Sequence, residues 1–282
     1  MRLFTTRELA DALGASESSL KRWIDAGKIA ASRTEGGHRR VARAEAVRFI
    51  RDTGAQLVRP ELLDLPEILV ARSRGEQRLS SYLLEGDAVG ARGWLMSRYL
   101  EGAAVAELAD GPIREAMHTL GELWHHESTG VFVEHRGTDA CLQAIAHLRS
   151  IAAAPEDAPV AVGGAPAGDP YLVPSQLAAT TIAETGMRSI NLGPDTPVDA
   201  FAHAVDEHAP ALVWTSISTP LAPARARSIA RWLESLPARI AIIVGGRQSS
   251  SLGKLPARAH RLGSMGELAD AVRAMLKRGR GR

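Results

Sequence analysis

The feature that most narrows the fold is a change of apolar rhythm at Ala154-Pro155-Glu156-Asp157-Ala158-Pro159. Before it, from about Pro60 to Ala153, apolar residues recur at helical spacing, as in Leu79, Leu83 and Leu84 and again in Val105, Leu108 and Ala109. β-Branched runs are few, so this stretch is predicted to be a helical bundle. After it, the short apolar runs Val160 to Val162, Ser189 to Leu192, Ala211 to Trp214 and Ile240 to Val244 alternate with helical stretches. Strands alternating with helices imply βαβ units and a parallel sheet. The residues up to about Thr53 follow neither rhythm; they hold short helical stretches and a Gly-Gly turn. The chain is therefore expected to be a multidomain α and α/β protein in three parts: 1-55, 60-153 and 158-278.

Charge divides along the same lines. Residues 1-60 carry 12 Lys/Arg against 7 Asp/Glu, whereas residues 61-272 carry 17 against 25. A basic head on an acidic body suits a polyanion-binding module, since neutralising phosphates supplies most of the non-specific affinity for nucleic acid. Five further basic groups in the last ten residues read as a solubility tail. With 282 residues, 45% of them hydrophobic, the chain can build two or three cores. Its single cysteine, Cys141, rules out an intramolecular disulfide and a zinc site of several thiolates. No apolar run approaches a membrane span, and the start lacks the apolar core of a secretion signal, so a cytoplasmic protein is expected.

In the head, Thr5-Thr6-Arg7-Glu8 is a capping box that starts a helix with Leu9, Ala10 and Leu13 on one side. Gly14 ends that helix. Ser16 can cap a second, carrying Ser18, Ser19, Leu20, Lys21, Arg22 and Trp23, with Trp23 placed on its apolar face by Leu20 and Ile24. Two short helices joined by a tight turn, the second presenting small polar and basic side chains, match a helix-turn-helix that enters the major groove. Gly36-Gly37 permits a tight hairpin that would leave His38, Arg39 and Arg40 at a tip able to reach phosphates. Arg33 to Val41 resembles the wing of the MerR family, and Leu20-Lys21-Arg22-Trp23 with Gly27-Lys28-Ile29 resembles its recognition helix and following turn. The likeness runs from about Phe4 to Ile50. It implies a winged helix-turn-helix in which Ser18, Ser19, Lys21 and Arg22 face the groove of double-stranded operator DNA while Arg33, His38, Arg39 and Arg40 grip the backbone. The alternative reading for a minority of these arginines is solvated surface or ties between wing and helices.

Trp124, then nine residues, then Glu134-His135, is similar to a signature in the helical bundle of CarH-like photoreceptor repressors. In that family the bundle caps the upper face of adenosylcobalamin, and a histidine beside the tryptophan can take the cobalt after photolysis. The resemblance gives that metal-ligand role to His125. On residue type alone, Trp124 reads as a buried aromatic and Glu134-His135 as a surface pair.

The last part resembles a Rossmann-like cobalamin-binding domain: Gly186-Met187-Arg188-Ser189-Ile190, then Leu192-Gly193-Pro194-Asp195-Thr196-Pro197, matches its second strand and following loop. Thr215-Ser216-Ile217-Ser218 and Val244-Gly245-Gly246 fall at two strand ends, where open α/β sheets bind ligands. Asp169, Tyr171, Ser216, Gly245 and Gly246 are the candidate ligand residues here. The chain departs from the family at Asp169-Pro170-Tyr171-Leu172-Val173-Pro174, where the family has Asp-x-His-x-x-Gly and the histidine is the lower cobalt ligand. Neutral imidazole is a good cobalt donor, whereas a phenol with a reference pKa of about 10 must first lose its proton. Three states stay open: cobalamin held without a protein lower ligand, another flat or nucleotide-like ligand, or a ligand-free oligomerisation module.

The expected function is a DNA-binding regulator, a repressor by resemblance. The family pattern implies a homo-oligomer, dimer or tetramer, that adenosylcobalamin holds together in the dark and light loosens. A corrinoid-dependent methyltransferase subunit is the competing class, but the substrate barrel, zinc-thiolate cluster and iron-sulfur cysteines of such enzymes are missing from the sequence. A protein-protein adaptor is the third.

Overall fold

The computed structural model describes residues 2–65, 78–126 and 129–280. It divides into two compact units, one of Met1–Ala104 with Pro112–Ile151, the other of Val105–Gly111 with Ala152–Arg282.

The first unit begins with β1 (Leu3–Thr5), α1 (Thr6–Leu13), α2 (Glu17–Asp25), β2 (Ser32–Arg33), β3 (Arg39–Ala42) and α3 (Arg43–Thr53). The capping box forms: the Thr5 hydroxyl accepts from the Glu8 amide at 3.0 Å, and the Glu8 carboxylate accepts from the Thr5 amide at 2.7 Å. That amide, followed by the Thr5 hydroxyl, holds the Glu8 carboxyl below its ordinary pKa. Gly14 ends α1 in a left-handed conformation, and the Ser16 hydroxyl accepts from the Ser19 amide to start α2. Three antiparallel strands in the order β1-β3-β2 close the head, with Thr5 opposite Arg40 and Arg33 opposite Arg39. Phe4, Leu9, Leu20, Ile29 and Val41 are buried between sheet and helices, each stabilising by roughly 1.5–3 kcal/mol. Trp23 is only half-buried and packs on Phe49 at 5.1 Å between ring centres.

In the same unit, α8 (Gly130–Ile151) packs against α4 (Leu79–Glu85), α5 (Ala88–Leu100) and α7 (Arg114–His126) to form the bundle. Helix α3 packs on α5 and α8. Arg51 on α3 donates to the Tyr99 carbonyl and, at 3.0 Å, to that of Ala103, with its guanidinium 3.8 Å above the Tyr99 ring centre. Arg43 donates to the Ser150 carbonyl at 3.0 Å. Head and bundle are thereby one packed body. Cys141 lies inside α8, and burial pushes its thiol up to about 12, which leaves it protonated and unreactive at neutral pH.

The second unit is a parallel sheet in the order β5-β4-β6-β7-β8. Its strands are β4 (Val160–Gly164), β5 (Arg188–Asn191), β6 (Leu212–Ser216), β7 (Ala241–Gly245) and β8 (Ala259–Arg261). Helices α9 (Leu172–Glu184) and α12 (Met265–Arg280) cover one face, α10 (Val198–His208) and α11 (Pro223–Ser235) the other. Val105 and Leu108, whose spacing reads as bundle, belong to this unit through α6 (Val105–Leu108). The Val105 amide donates to Glu184 at 2.9 Å, and the Asp110 carboxylate accepts from the Met265 and Gly266 amides at the start of α12. No described helix is long and apolar enough to cross a membrane.

Candidate DNA interface and ligand crevice

The head exposes Ser18, Lys21 and Arg22 on α2 and keeps Ser19 half-buried. Their partners are local and replaceable. Lys21 pairs with Glu17 at 3.0 Å, Arg22 donates to Ser19 at 3.2 Å, and Ser18 shares a hydroxyl contact with Ser16 at 2.8 Å. The hydrogen bond from Lys21, then the one from Thr6, lowers the Glu17 carboxyl below its ordinary pKa. A solvent-screened pair of this kind exchanges readily for a phosphate.

The hairpin is built as Gly37 requires: its φ of 75° lets the Gly37 amide reach the Thr34 carbonyl at 2.8 Å while the Thr34 amide donates to His38 at 3.0 Å. This register corrects one expectation. Only His38 stands at the tip, while Arg39 and Arg40 lie on β3, because their backbones pair with β2 and β1. Arg33 on β2 is exposed. Arg39 donates to Asp25 at 2.6 Å and is 21% exposed, so it ties the wing to the end of α2. Arg48, which motif reading passes over, is likewise committed: it bonds Glu45, Asp52 and the Lys28 carbonyl.

In the bundle, Glu134 accepts from Thr138 at 2.8 Å and pairs with the exposed His135 at 3.4 Å. Trp124 and His125 fall near the end of α7, and their side chains lie outside the described residues. Among the described residues, no three His, Cys, Asp or Glu side chains converge as a metal set.

In the α/β unit, the order of strands reverses between β4 and β6, the place where open sheets form a ligand crevice beyond their carboxyl ends. The loop after β4 brings Asp169 there, fully buried. Its carboxylate accepts from the Ser218 amide, from Thr219 at 3.4 Å and from Tyr171 at 3.2 Å, and so stitches the loops after β4 and β6 together. Ser216 is buried at the end of β6. Gly245 ends β7, and Gly246 lies so close to the Ile217 backbone that a side chain there would overlap it. Gly246 thus serves the approach of the protein's own loops. Tyr171, 41% exposed, precedes the first turn of α9, where Pro174 lacks only an amide the helix does not use. Two residues escaped sequence reasoning. Arg247 stands 5.1 Å over the Tyr171 ring and donates to the Ser218 carbonyl at 2.8 Å. Trp214 is 2% exposed and lays its indole where a side chain on Gly163 would be.

Residues 3–53 match the family described as Helix-turn-helix domain, and residues 76–149 match that described as B12 binding domain. The chain thus joins a helix-turn-helix to a cobalamin-binding architecture. No curated protein matches it. Among solved structures, it is similar to the monomethylamine corrinoid protein of Methanosarcina barkeri, with 13% identity, a TM-score of 0.52, and coverage of 70% of this chain and 96% of that one. A cobalamin-binding protein from Desulfitobacterium hafniense aligns at 19% identity over 71% of this chain and 96% of that one, with a TM-score of 0.35. The methanol:cobalamin methyltransferase complex of Methanosarcina barkeri aligns at 15% identity over 76% of this chain and 85% of that one, with a TM-score of 0.36. The first likeness gives the fold alone: a helical bundle with a Rossmann-like parallel sheet.

The crevice residues do not fit a cobalamin held from below by the protein. Tyr171 offers a phenol where an imidazole would be needed, and Asp169 is turned to backbone amides.

Proposed function

We propose that this chain is a DNA-binding transcription regulator of the MerR kind, a repressor whose hold on its operator is set by a cobalamin-type sensory region. The observation that carries the reading is the fusion of the helix-turn-helix to a bundle matching the B12 binding domain, locked by Arg51 and Arg43. A change of bundle packing or assembly would move or release the head with it. Multivalency supplies the amplification: linked heads raise effective concentration at the operator, so dissolving a dimer or tetramer weakens binding with every base contact unchanged.

Ser18, Ser19, Lys21 and Arg22 read the groove in this account, with Arg33, His38 and Arg40 on the backbone and Arg39 as a brace. By resemblance to the photoreceptor repressors, the controlling ligand is adenosylcobalamin and the signal is light, with Trp124, His125, Glu134 and His135 as the bundle's ligand residues. Gel-shift titration in dark and light, with and without adenosylcobalamin, tests this. Tighter binding in the dark with the cofactor supports it, and equal binding in all four conditions removes both ligand and light control.

Tyr171 favours a second reading, in which the same regulator takes another flat ligand or uses the α/β unit only to oligomerise. Loss of the corrin absorption band on desalting would select it. A helix-turn-helix joined to a B12 binding domain fits a non-enzymatic regulator; methyl transfer by the purified chain would instead place it among corrinoid methyltransferase subunits.

A further inference from the structure

The strand register sets Asn191, Gly163, Trp214 and Ile243 side by side in one row across β5, β4, β6 and β7. Trp214 and Ile243 both belong to the core under α9 and α12, which fixes the face on which the row lies. Trp214 reaches across the row onto β4, occupying the space left by Gly163, and is enclosed by Ala178, Ile182, Leu268 and Val272. This is the layer directly inside the crevice between β4 and β6. Any flat heteroaromatic group entering the layer from the strand ends would need the volume that the indole fills.

Space filling alone does not account for a tryptophan here. Its Nε1 is buried with no hydrogen-bond partner, and Nδ2 of Asn191 beside Gly163 is another such donor. A leucine or phenylalanine would fill apolar volume without stranding an N–H. The indole has the size and flatness of a nucleotide base.

We propose that Trp214 is a built-in occupant of this layer, so that a corrinoid bound by this chain keeps its nucleotide outside the sheet and helices. The proposal rests on the cobalamin-type reading above and specifies which part of the ligand is recognised: the ring, not the tail. Tyr171 agrees with it, because the chain has no imidazole at that position to displace the ligand's own base from cobalt.

Adenosylcobalamin and adenosylcobinamide share ring and upper ligand and differ in the nucleotide, so their dissociation constants from the full chain, measured by equilibrium dialysis in the dark, test the point. The expected result is affinities within about threefold of each other, and in Trp214→Ala a preference for adenosylcobalamin of about tenfold or more as the layer opens. A tenfold preference for adenosylcobalamin in the unaltered chain overturns the proposal. Retention of neither ligand overturns the cobalamin-type reading itself and the proposal with it. Should Trp214→Ala fail to fold, the ratio in the unaltered chain decides alone.

Discussion

The head and the crevice use polar side chains in opposite ways. On the head, Lys21, Arg22 and Ser18 face water and hold partners that a phosphate can replace. At the crevice, Asp169 is buried and bound to three backbone amides, and Trp214 fills the layer behind it. A site that meets a partner from solution leaves its groups exchangeable, whereas one whose groups are committed to its own loops has been turned into structure. The contrast separates a head that keeps the look of a binding surface from a Rossmann-like sheet whose crevice groups bind its own loops.

Substitutions can break this contrast. The largest effect is expected from Asp169→Ala, which strands buried amides and should cost about 3–5 kcal/mol, seen as a lower melting temperature. Asp169→Asn, which keeps one acceptor oxygen, should recover about half; an unchanged melt for both would make the crevice as exchangeable as the head. Arg51→Met removes charge-assisted bonds from head to bundle and should cost about 2 kcal/mol in a urea melt, with DNA binding by the remaining folded protein retained. Thr5→Ala should cost about 1 kcal/mol by loss of the α1 cap.

The smallest effect concerns pH. Burial, then the charges of Arg92 and Arg43, push His147 on α8 below its ordinary value of 6.5. The folded chain therefore favours the neutral ring, and the unfolded chain takes up the proton first as pH falls. Stability from this residue is complete above pH 6.5 and declines below it, through the lowered folded value. Melting temperatures between pH 7.5 and 5.5 should fall less steeply in His147→Gln, and parallel curves would exclude His147 as a cause.

What was legible in the sequence was local. The capping box, the Gly37 hairpin and the four long strand cores follow from neighbours a few residues apart. β1 and β8 escaped because three residues are too few to show alternation, and β8 is an exposed edge. Periodicity at Val105 and Leu108 shows a helix but not which core it joins. That some wing arginines tie to the helices could be expected, but nothing near Arg39 in the chain announces its partner Asp25, fourteen positions earlier. Trp214 read as one more apolar strand residue, since a run of apolar letters does not say what lies across the sheet.

The central claim is that α2 and the wing grip DNA. Fluorescence anisotropy of a labelled promoter fragment, titrated at several salt concentrations with the parent and with a Lys21/Arg22/Arg33/Arg40 quadruple alanine variant of intact fold, tests it most directly. The account predicts a loss of roughly a hundredfold or more at low salt and a shallower salt dependence, by about one unit of slope for each lost phosphate contact. Equal affinity and equal slope for the two proteins would contradict it.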